Sequence, residues 1–459
     1  MNNPPTPAAP AIVAALRSIR AYADGLRDGA FTAEDAVRAC LARIRDDATL
    51  DAFTAQDDAA ALAAARAADL MLASRSDLGP LMGVPVALKD LYAADGLPMT
   101  AGSRVDIADR VPAQGPIVAA LKRGGAVVLG KTRTTEFAFG TFNPTHPTPR
   151  NPCDRTSHRM PGGSSAGSAV AVAAGLCAVA LGTDTGGSVR QPAALCGVAG
   201  FKTTAGRLSM EGVFPLSPTF DSPGWFGHGV DDLALVWHAL SGNRPSRERP
   251  VDTLVLGVPD AYFFDNLEPA VADAVDLARR RLSAAGARLQ TVTLPPLDDL
   301  DGAFGAFLSA ELVAWLGRER VTANLERMDP VVAARIAPGL TLTAEAFLRM
   351  RARFEATARA ARDAIAGVDA LLTPTVPRTA ALAEGHEDPV AAAAWSRDTL
   401  RLTRPGNLFG FCGISLPIQH LASHATLPVG LQLMAAGGAD SDLLGVAATV
   451  ERTLGRPAA

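Results

Sequence analysis

The chain has 459 residues, of which 48% are hydrophobic and 20% charged, and its formal net charge is −4 at pH 7. This balance is typical of a globular enzyme with a large buried core and argues against a disordered or fibrous chain. The slightly negative charge argues against a surface coated with cations, so nucleic acid is not an expected partner.

The cysteines and the apolar segments indicate a cytoplasmic protein with no membrane partner. The five cysteines are widely spaced and form no C-x-x-C pair, which favours reduced thiols over disulfides or a zinc site. The first 20 residues carry their arginines after the apolar run, the wrong order for a secretory signal. The longest apolar run, residues 169–181, contains a glycine and is too short to span a bilayer.

The first predicted elements alternate between helices and strands. One helix is predicted over residues 12–26, and Thr32 and Asp35 have the capping-box spacing that predicts a second helix through AVRACLARI. The apolar segments GVPVALKDLY and AVVLGKT predict buried strands, with a helix at IVAALKRGG between them. This alternation predicts an α/β fold with a mostly parallel sheet.

The rest of the chain is predicted to continue the same domain. Residues 140–220 are rich in Gly, Pro, Ser and Thr and are interpreted as functional loops on the sheet. We predict one domain over residues 10–455, with a core at about 80–230, a helical insertion at about 265–367, and C-terminal strands and a helix in 368–455. The predicted C-terminal elements are strands at ALLTPTVP and LPVGLQLMA and a helix at DLLGVAATVERTL.

The pentapeptide Gly163–Gly167 fits the Gly-x-Ser-x-Gly pattern of a hydrolase nucleophile elbow, which would make Ser165 the nucleophile. That motif requires an apolar strand before the serine, whereas the preceding RTSHRMPGG is polar. It also requires a histidine after the serine. The candidates are His228, His238, His386, His420 and His424, and none has a convincing partner in the sequence. The elbow hypothesis is therefore weakly supported.

A second glycine-rich segment, LGTDTGGSVRQPAALCG, places Ser188 between a predicted strand and a short helix. It lacks the lysine of a phosphate-binding P-loop. The backbone amides of Thr185, Gly186, Gly187 and Ser188 are suited to stabilise an oxyanion beside the serine. An N-cap role for Ser188, with the glycines serving only the turn, is left open by the sequence.

The segment GGSSAGSAVAVAAGLCAVALGTDTGGSVRQPAALCGVAGFKTTAGRLS strongly resembles the amidase signature family. The resemblance extends from GVPVALKDLY to LPVGLQLMA and so covers nearly the whole chain. It implies a single large α/β domain with a mixed, mostly parallel central β-sheet covered by helices on both faces. It also implies a Ser-cisSer-Lys triad, placed by motif on Lys89 of VALKD, Ser164 of GGSS and Ser188 of TGGS.

The resemblance implies a role for each triad residue. Ser188 is the nucleophile, Ser164 follows a cis peptide bond and passes protons, and Lys89 is the base. A neutral lysine at pH 7 requires a pKa about 3 units below the ordinary value near 10.4, which desolvation among apolar strands can supply. Thr185, Gly186, Gly187 and Ser188 are the expected oxyanion hole. No metal or organic cofactor is required.

Neighbouring residues are expected to support the site. Ser165 and Asp184 are expected to do so through hydrogen bonds, and Arg190 through a carboxylate, although an ordinary surface arginine is the alternative. Ala166 stands where many relatives have glycine. The loop that resembles the family's acyl pocket contributes candidate pocket residues, for which a core position is the alternative: Phe137, Phe139, Gly140 and Thr141.

The expected function is hydrolysis of a carboxamide or a related C–N bond in a small molecule through an acyl-enzyme, releasing ammonia or an amine. Two alternatives within the family are a carboxybiuret- or allophanate-type hydrolase and the A subunit of a tRNA-dependent glutamine amidotransferase. A scaffold that has lost activity is disfavoured because all three triad residues are retained. The sequence leaves a homodimer open.

Overall fold

An 11-stranded β-sheet runs through the part of the chain that the computed structural model describes, residues 9–297, 300–422 and 425–457. The strand order across the sheet is β1-β3-β2-β4-β6-β5-β10-β11-β9-β7-β8. The strands are β1 (Phe53–Gln56), β2 (Pro85–Lys89), β3 (Val127–Thr132), β4 (Val179–Asp184), β5 (Ala199–Lys202), β6 (Ser222–Gly227), β7 (Val255–Pro259), β8 (Arg288–Val292), β9 (Ala370–Pro374), β10 (Cys412–Pro417) and β11 (Gly430–Ala435).

Helices flank this sheet. They are α1 (Ala9–Ala15), α2 (Ile19–Arg27), α3 (Ala33–Asp46), α4 (Asp58–Ala73), α5 (Pro116–Arg123), α6 (Ala166–Ala173), α7 (Arg190–Cys196), α8 (Val230–Ser241), α9 (Pro269–Ala284), α10 (Leu300–Leu316), α11 (Arg318–Asn324), α12 (Pro330–Ile336), α13 (Ala344–Ala364), α14 (Pro389–Leu400), α15 (Arg404–Leu408) and α16 (Asp440–Leu454). None of these described helices is by itself long and apolar enough to cross a bilayer. The stretches Pro330–Leu340 and Ala344–Ala364 meet that test only together, across a 105° bend.

The predicted single domain with a mixed sheet is confirmed, but the prediction that the sheet is mostly parallel is wrong. Four strand pairs are parallel, β2–β3, β2–β4, β7–β8 and β7–β9, and the other six are antiparallel. A parallel neighbour needs a long crossover, whereas β5–β6 and β10–β11 follow each other without an intervening α-helix and pair antiparallel. The boundaries proposed for the domain and its segments stay predictions.

The local predictions near the N-terminus hold with one exception. Thr32 caps α3 and Asp35 completes the capping box, as the spacing predicted. The single helix predicted over residues 12–26 is instead two, α1 and α2, and Ser18 caps the second by accepting from the backbone N–H of Ala21. The predicted helical insertion at about 265–367 is also interrupted, by β8.

The centre of the sheet brings the motif residues together. Strands β2 and β4 are parallel neighbours and every residue in both is buried. Their carboxyl ends lie at the same edge, where open α/β sheets usually place their sites. β2 ends at Lys89 and β4 ends at Asp184, so the lysine lies beside the loop that leads to Ser188.

Candidate active site

Lys89 is a fully buried lysine at the end of β2. Its Nζ donates hydrogen bonds to Ser164 Oγ at 2.6 Å and to Thr183 Oγ1 at 2.8 Å. Burial lowers the pKa of Lys89 to about 7, against the opposing charges of Asp221 and Asp184. The shift has the direction expected for a lysine desolvated between apolar strands, and it makes the neutral amine accessible near neutral pH.

Ser164 lies in a loop that several contacts hold in place. The Gly163–Ser164 peptide bond is cis, as the resemblance implied. Gly163 N donates to Gln191 Oε1 at 2.9 Å, and Ser164 O accepts from Thr135 N at 3.2 Å. The Ser164 side chain is fully buried with its Oγ on the lysine amine. These contacts fix its hydroxyl next to Lys89.

Ser188 lies in the loop between β4 and α7 and is 5% exposed. Its carbonyl accepts from Ser165 N at 3.3 Å, which ties the two serine loops together. The N-cap residue of α7 is Val189, and that helix has no side-chain cap, so the N-cap alternative for Ser188 is wrong. Within the described ranges, no side chain or backbone group hydrogen-bonds with Ser188 Oγ, which leaves the hydroxyl available for chemistry.

Asp184 and Arg190 brace this loop from inside the protein. Both side chains are fully buried, and Arg190 Nη2 lies 2.9 Å from Asp184 Oδ1. The same Oδ1 accepts from Gly187 N and Asn407 Nδ2, each at 2.9 Å. Burial opposes ionisation of Asp184, but the Arg190 charge holds the pKa of its carboxyl well below the ordinary value. The surface-arginine alternative for Arg190 is therefore wrong.

Arg190→Met is expected to lower the free energy of unfolding by about 3–5 kcal/mol, because it leaves the Asp184 carboxylate buried without its cation. Urea denaturation measures the change. Arg280→Met is the matched control, since Arg280 forms an exposed ion pair with Asp276 at 2.7 Å and such pairs contribute at most about 1 kcal/mol. Equal losses in the two variants would contradict a structural role for the buried pair.

The four predicted oxyanion donors are not equivalent. Gly187 N–H already donates to Asp184 Oδ1, so this amide is not free to donate to an oxyanion. The N–H groups of Thr185, Gly186 and Ser188 have no hydrogen-bond acceptor within the described ranges. Gly187 has φ 129°, and its role is to allow the turn and to anchor it to Asp184.

Ser165 is held by neighbouring backbone rather than by a histidine. Its fully buried hydroxyl donates to Thr183 O and accepts from Thr183 N, both at 3.3 Å. Of the histidines in the described ranges, none hydrogen-bonds with Ser165, and burial lowers the pKa of His228 to about 4. His424 lies outside the described residues. The elbow hypothesis gains no support, and the contacts agree with a supporting role for Ser165.

A cavity of about 320 Å³ opens beside Ser188. Of the four predicted pocket residues, Phe139 and Gly140 line it. Phe137 does not, because its fully buried ring stacks on Phe214 at 5.5 Å in the core. Thr141 is also buried and is not part of the described lining. The described lining comprises Ala138, Phe139, Gly140, Thr185, Gly186, Ser188, Leu216, Gly302, Phe304, Gly305, Ala306, Leu308, Arg335, Pro338, Arg397, Leu400 and Arg404.

Several site residues were missed by reading the sequence. Asp221 accepts from Thr185 Oγ1 at 2.5 Å, and burial raises the pKa of this carboxyl to about 6. Thr403 Oγ1 donates to Gly186 O at 2.8 Å, more than 200 residues along the chain from its partner. No local spacing links these residues to the motif.

Comparison with known proteins finds relatives that match nearly the whole chain. The chain is 38% identical to 2-amino-5-chloromuconic acid deaminase of Comamonas testosteroni, over 96% of this chain and 97% of the relative. It is 36% identical to the A subunit of glutamyl-tRNA(Gln) amidotransferase from Chloroflexus aurantiacus, over 95% and 96% of the two chains. A solved amidase structure superposes with a TM-score of 0.86 at 31% identity, covering 95% of this chain and all of the other.

The family sequence profile described as Amidase matches residues 35–444, which is nearly the whole chain. The match includes every strand of the sheet and both serine loops. The chain belongs to the amidase signature family and is a hydrolase that acts on amide C–N bonds.

Proposed function

We propose that the chain is an amidohydrolase in which Ser188 attacks a carboxamide or related C–N substrate and forms a covalent acyl-enzyme, releasing ammonia or an amine. The observation that carries the proposal is the 2.6 Å hydrogen bond between buried Lys89 Nζ and Ser164 Oγ. Ser164 is adjacent to Ser165, whose N–H donates to the Ser188 carbonyl. We infer that Lys89, Ser164 and Ser188 act in that order as a base, a hydroxyl that passes a proton and a nucleophilic hydroxyl.

In the proposed acylation step, the neutral amine of Lys89 accepts the Ser164 proton while Ser164 Oγ accepts the proton of Ser188. The Ser188 oxygen forms a bond to the carbonyl carbon, and the carbonyl electron pair moves onto its oxygen. The amides of Thr185, Gly186 and Ser188 stabilise that oxyanion, each donor contributing about 3–4 kcal/mol. The oxyanion electron pair then re-forms the carbonyl bond as the C–N bond breaks, and Ser164 protonates the leaving nitrogen and regains a proton from Lys89. Water hydrolyses the acyl-enzyme by the same path.

Gly187→Ala is expected to lower kcat by about 10²–10³-fold, the effect of losing an oxyanion donor, because it displaces the loop that carries the free amides. The added Cβ would lie 1.9 Å from Thr403 Oγ1, and φ is 129° at this position. Gly206→Ala is the control, since Gly206 also has a positive φ, 76°, but faces open space. Steady-state kinetics compare the two variants. Similar small losses in both would argue against the proposed role of the loop.

The function is tested with purified protein and a panel of small primary amides, arylamides and ureido acids, measuring released ammonia or amine. A second measurement uses an activated ester of a cleaved amide's acyl group and intact-mass spectrometry at early times. We expect the acyl mass on the peptide that contains Ser188. Hydrolysis without any acylated species, together with an unmodified Ser188 peptide, would contradict the covalent route.

One alternative has a specific observation in its favour, the 36% identity to the A subunit of an amidotransferase. It predicts release of ammonia from glutamine that appears only with partner subunits. Hydrolysis of small amides by the isolated chain would exclude that requirement. The carboxybiuret- or allophanate-type alternative is decided by the ureido acids in the panel, which it predicts as the preferred substrates.

A further inference from the structure

The charged side chains that line the cavity beside Ser188 are all positive among the described residues. They are Arg335 on α12, Arg397 on α14 and Arg404 on α15, and the described lining contains no aspartate or glutamate. The remaining lining is largely apolar, including Phe139 and Phe304. Low-polarity walls around cations raise the local electrostatic potential and favour anions inside the cavity.

Arg335 is held at the cavity wall, and its guanidinium is not neutralised by a hydrogen-bonded carboxylate in the described ranges. Nη1 donates to Phe139 O at 3.2 Å, and the guanidinium lies 6.0 Å from the Phe139 ring centroid. Burial, Arg404 and Arg397 together lower the pKa of Arg335 to about 10. The side chain therefore stays charged at neutral pH in a place where charge is costly.

The neighbourhood of Arg335 is shaped around its guanidinium. A Cβ on Gly140 would lie 2.6 Å from Arg335 Nη1, so only glycine at that position leaves the guanidinium in place. Ser396 Oγ would be 4.0 Å from the same Cβ, and this buried hydroxyl has no hydrogen-bond partner in the described ranges. Asp329, whose charge acts on Arg335, is already bonded by Thr145 N at 3.0 Å and Thr145 Oγ1 at 2.7 Å.

Arg397 offers a second cation at the same cavity. It is exposed, and it makes no ion pair or hydrogen bond within the described ranges. A planar guanidinium matches a carboxylate with two parallel hydrogen bonds, and two such groups can hold one anion. The cavity of about 320 Å³ is near the lower end of the range for small-molecule sites, which limits the rest of the substrate to a short chain.

We propose that the cavity selects amides that carry a carboxylate, bound by Arg335 and Arg397 while Ser188 attacks the amide carbon. The inference rests on the proposed amidohydrolase function and names its substrate class. That class is short-chain amides that carry a carboxylate, and the monoamides of dicarboxylic acids are its simplest members. The arginines act by binding the end of the substrate that does not react. Their contribution therefore concerns selectivity, whereas the Lys89, Ser164 and Ser188 set concerns bond cleavage.

The test compares glutaramic acid with glutaramide, which have the same chain and differ by a carboxylate in place of a second amide. We expect kcat/KM to favour the acid by roughly 10- to 100-fold, the range for hydrogen bonds to a charged group. Arg335→Gln and Arg397→Gln should each remove most of that preference. Arg288→Gln, which replaces an exposed arginine on β8 away from the cavity, should keep it. Equal kcat/KM values for the two amides in the parent enzyme would overturn the proposal.

Two further comparisons separate substrate binding from a structural role of the arginines. A structural role for Arg335 alone predicts equal losses for acid and diamide, which would overturn its assignment as a binding residue. Binding of glutarate and of glutaramide to Ser188→Ala, measured by calorimetry, decides the proposal even when neither amide is cleaved. Glutarate should bind at least about tenfold more tightly. Equal binding of the two compounds, or competition by inorganic phosphate but not by glutarate, would overturn the proposed carboxylate site. Failure to cleave any amide of the panel would overturn the hydrolase proposal and would leave the binding result to be judged separately.

Discussion

Ser188→Ala is expected to lower kcat for any cleaved amide by at least about 10⁴-fold, because it removes the proposed attacking oxygen. Its Oγ has no hydrogen-bond partner in the described ranges and its residue lines the cavity, so the substitution removes reactivity without breaking a structural contact. The substitution should leave the melting temperature close to that of the parent. The measurement is a progress curve at high enzyme concentration.

His238→Ala is the control for the Ser188 variant. His238 lies on α8, where its ring nitrogen contacts Asn243 O at 3.2 Å, and it takes no part in the proposed proton path. We expect its kcat to stay within about twofold of the parent, as for a substitution that touches no reacting group. A Ser188→Ala enzyme that keeps more than about a hundredth of the parent rate would show that a different nucleophile is at work.

The proposed triad residues could be placed from the sequence because they lie in short motifs that resemble those of the amidase signature family. VALKD ends a buried strand, GGSS precedes α6, and TGGS joins β4 to α7. Without that resemblance, the residues alone singled out Ser165 through the Gly-x-Ser-x-Gly pattern and left an N-cap role open for Ser188. The contact between Lys89 and Ser164 is also consistent with the parallel pairing of β2 with β4 and β3.

The distant partners of these motifs could not be predicted, because they depend on how remote segments cross the sheet. Asn407 contacts Asp184, and Gln432 accepts from Arg190 at 2.8 Å, although both lie more than 200 residues beyond the loop they support. The arginines of the cavity come from three separate helices. The antiparallel pairs at the middle of the sheet involve β5, β6 and β10. The hydrophobic pattern of the sequence did not predict these strands, because their short segments are buried throughout and show no alternation of polar and apolar residues.

The second large effect concerns the base. Lys89→Met is expected to lower kcat/KM by about 10²–10⁴-fold, the usual contribution of a positioned general base. The methionine fills a similar volume but cannot accept a proton, and it leaves Ser164 Oγ without its hydrogen bond from Nζ. Lys89→Arg should fail equally, because a guanidinium does not lose its proton in this pH range. Retention of near-parent activity in either variant would contradict the proposed proton path.

The pH dependence of the parent enzyme gives the most specific test of Lys89. The reactive form is the neutral amine and its pKa is about 7, so kcat/KM should rise about tenfold per pH unit below that value and level off above it. Lys202→Met is the matched control. Lys202 is also buried, with a pKa lowered to about 8 by burial, but among the described residues its Nζ donates only to the carbonyls of Thr203 and Phe411. The midpoint near 7 should persist in Lys202→Met and disappear from the residual activity of Lys89→Met. If the midpoint instead disappeared in Lys202→Met, the titration would belong to Lys202. The main electrostatic support for Lys89 as the base would then be lost.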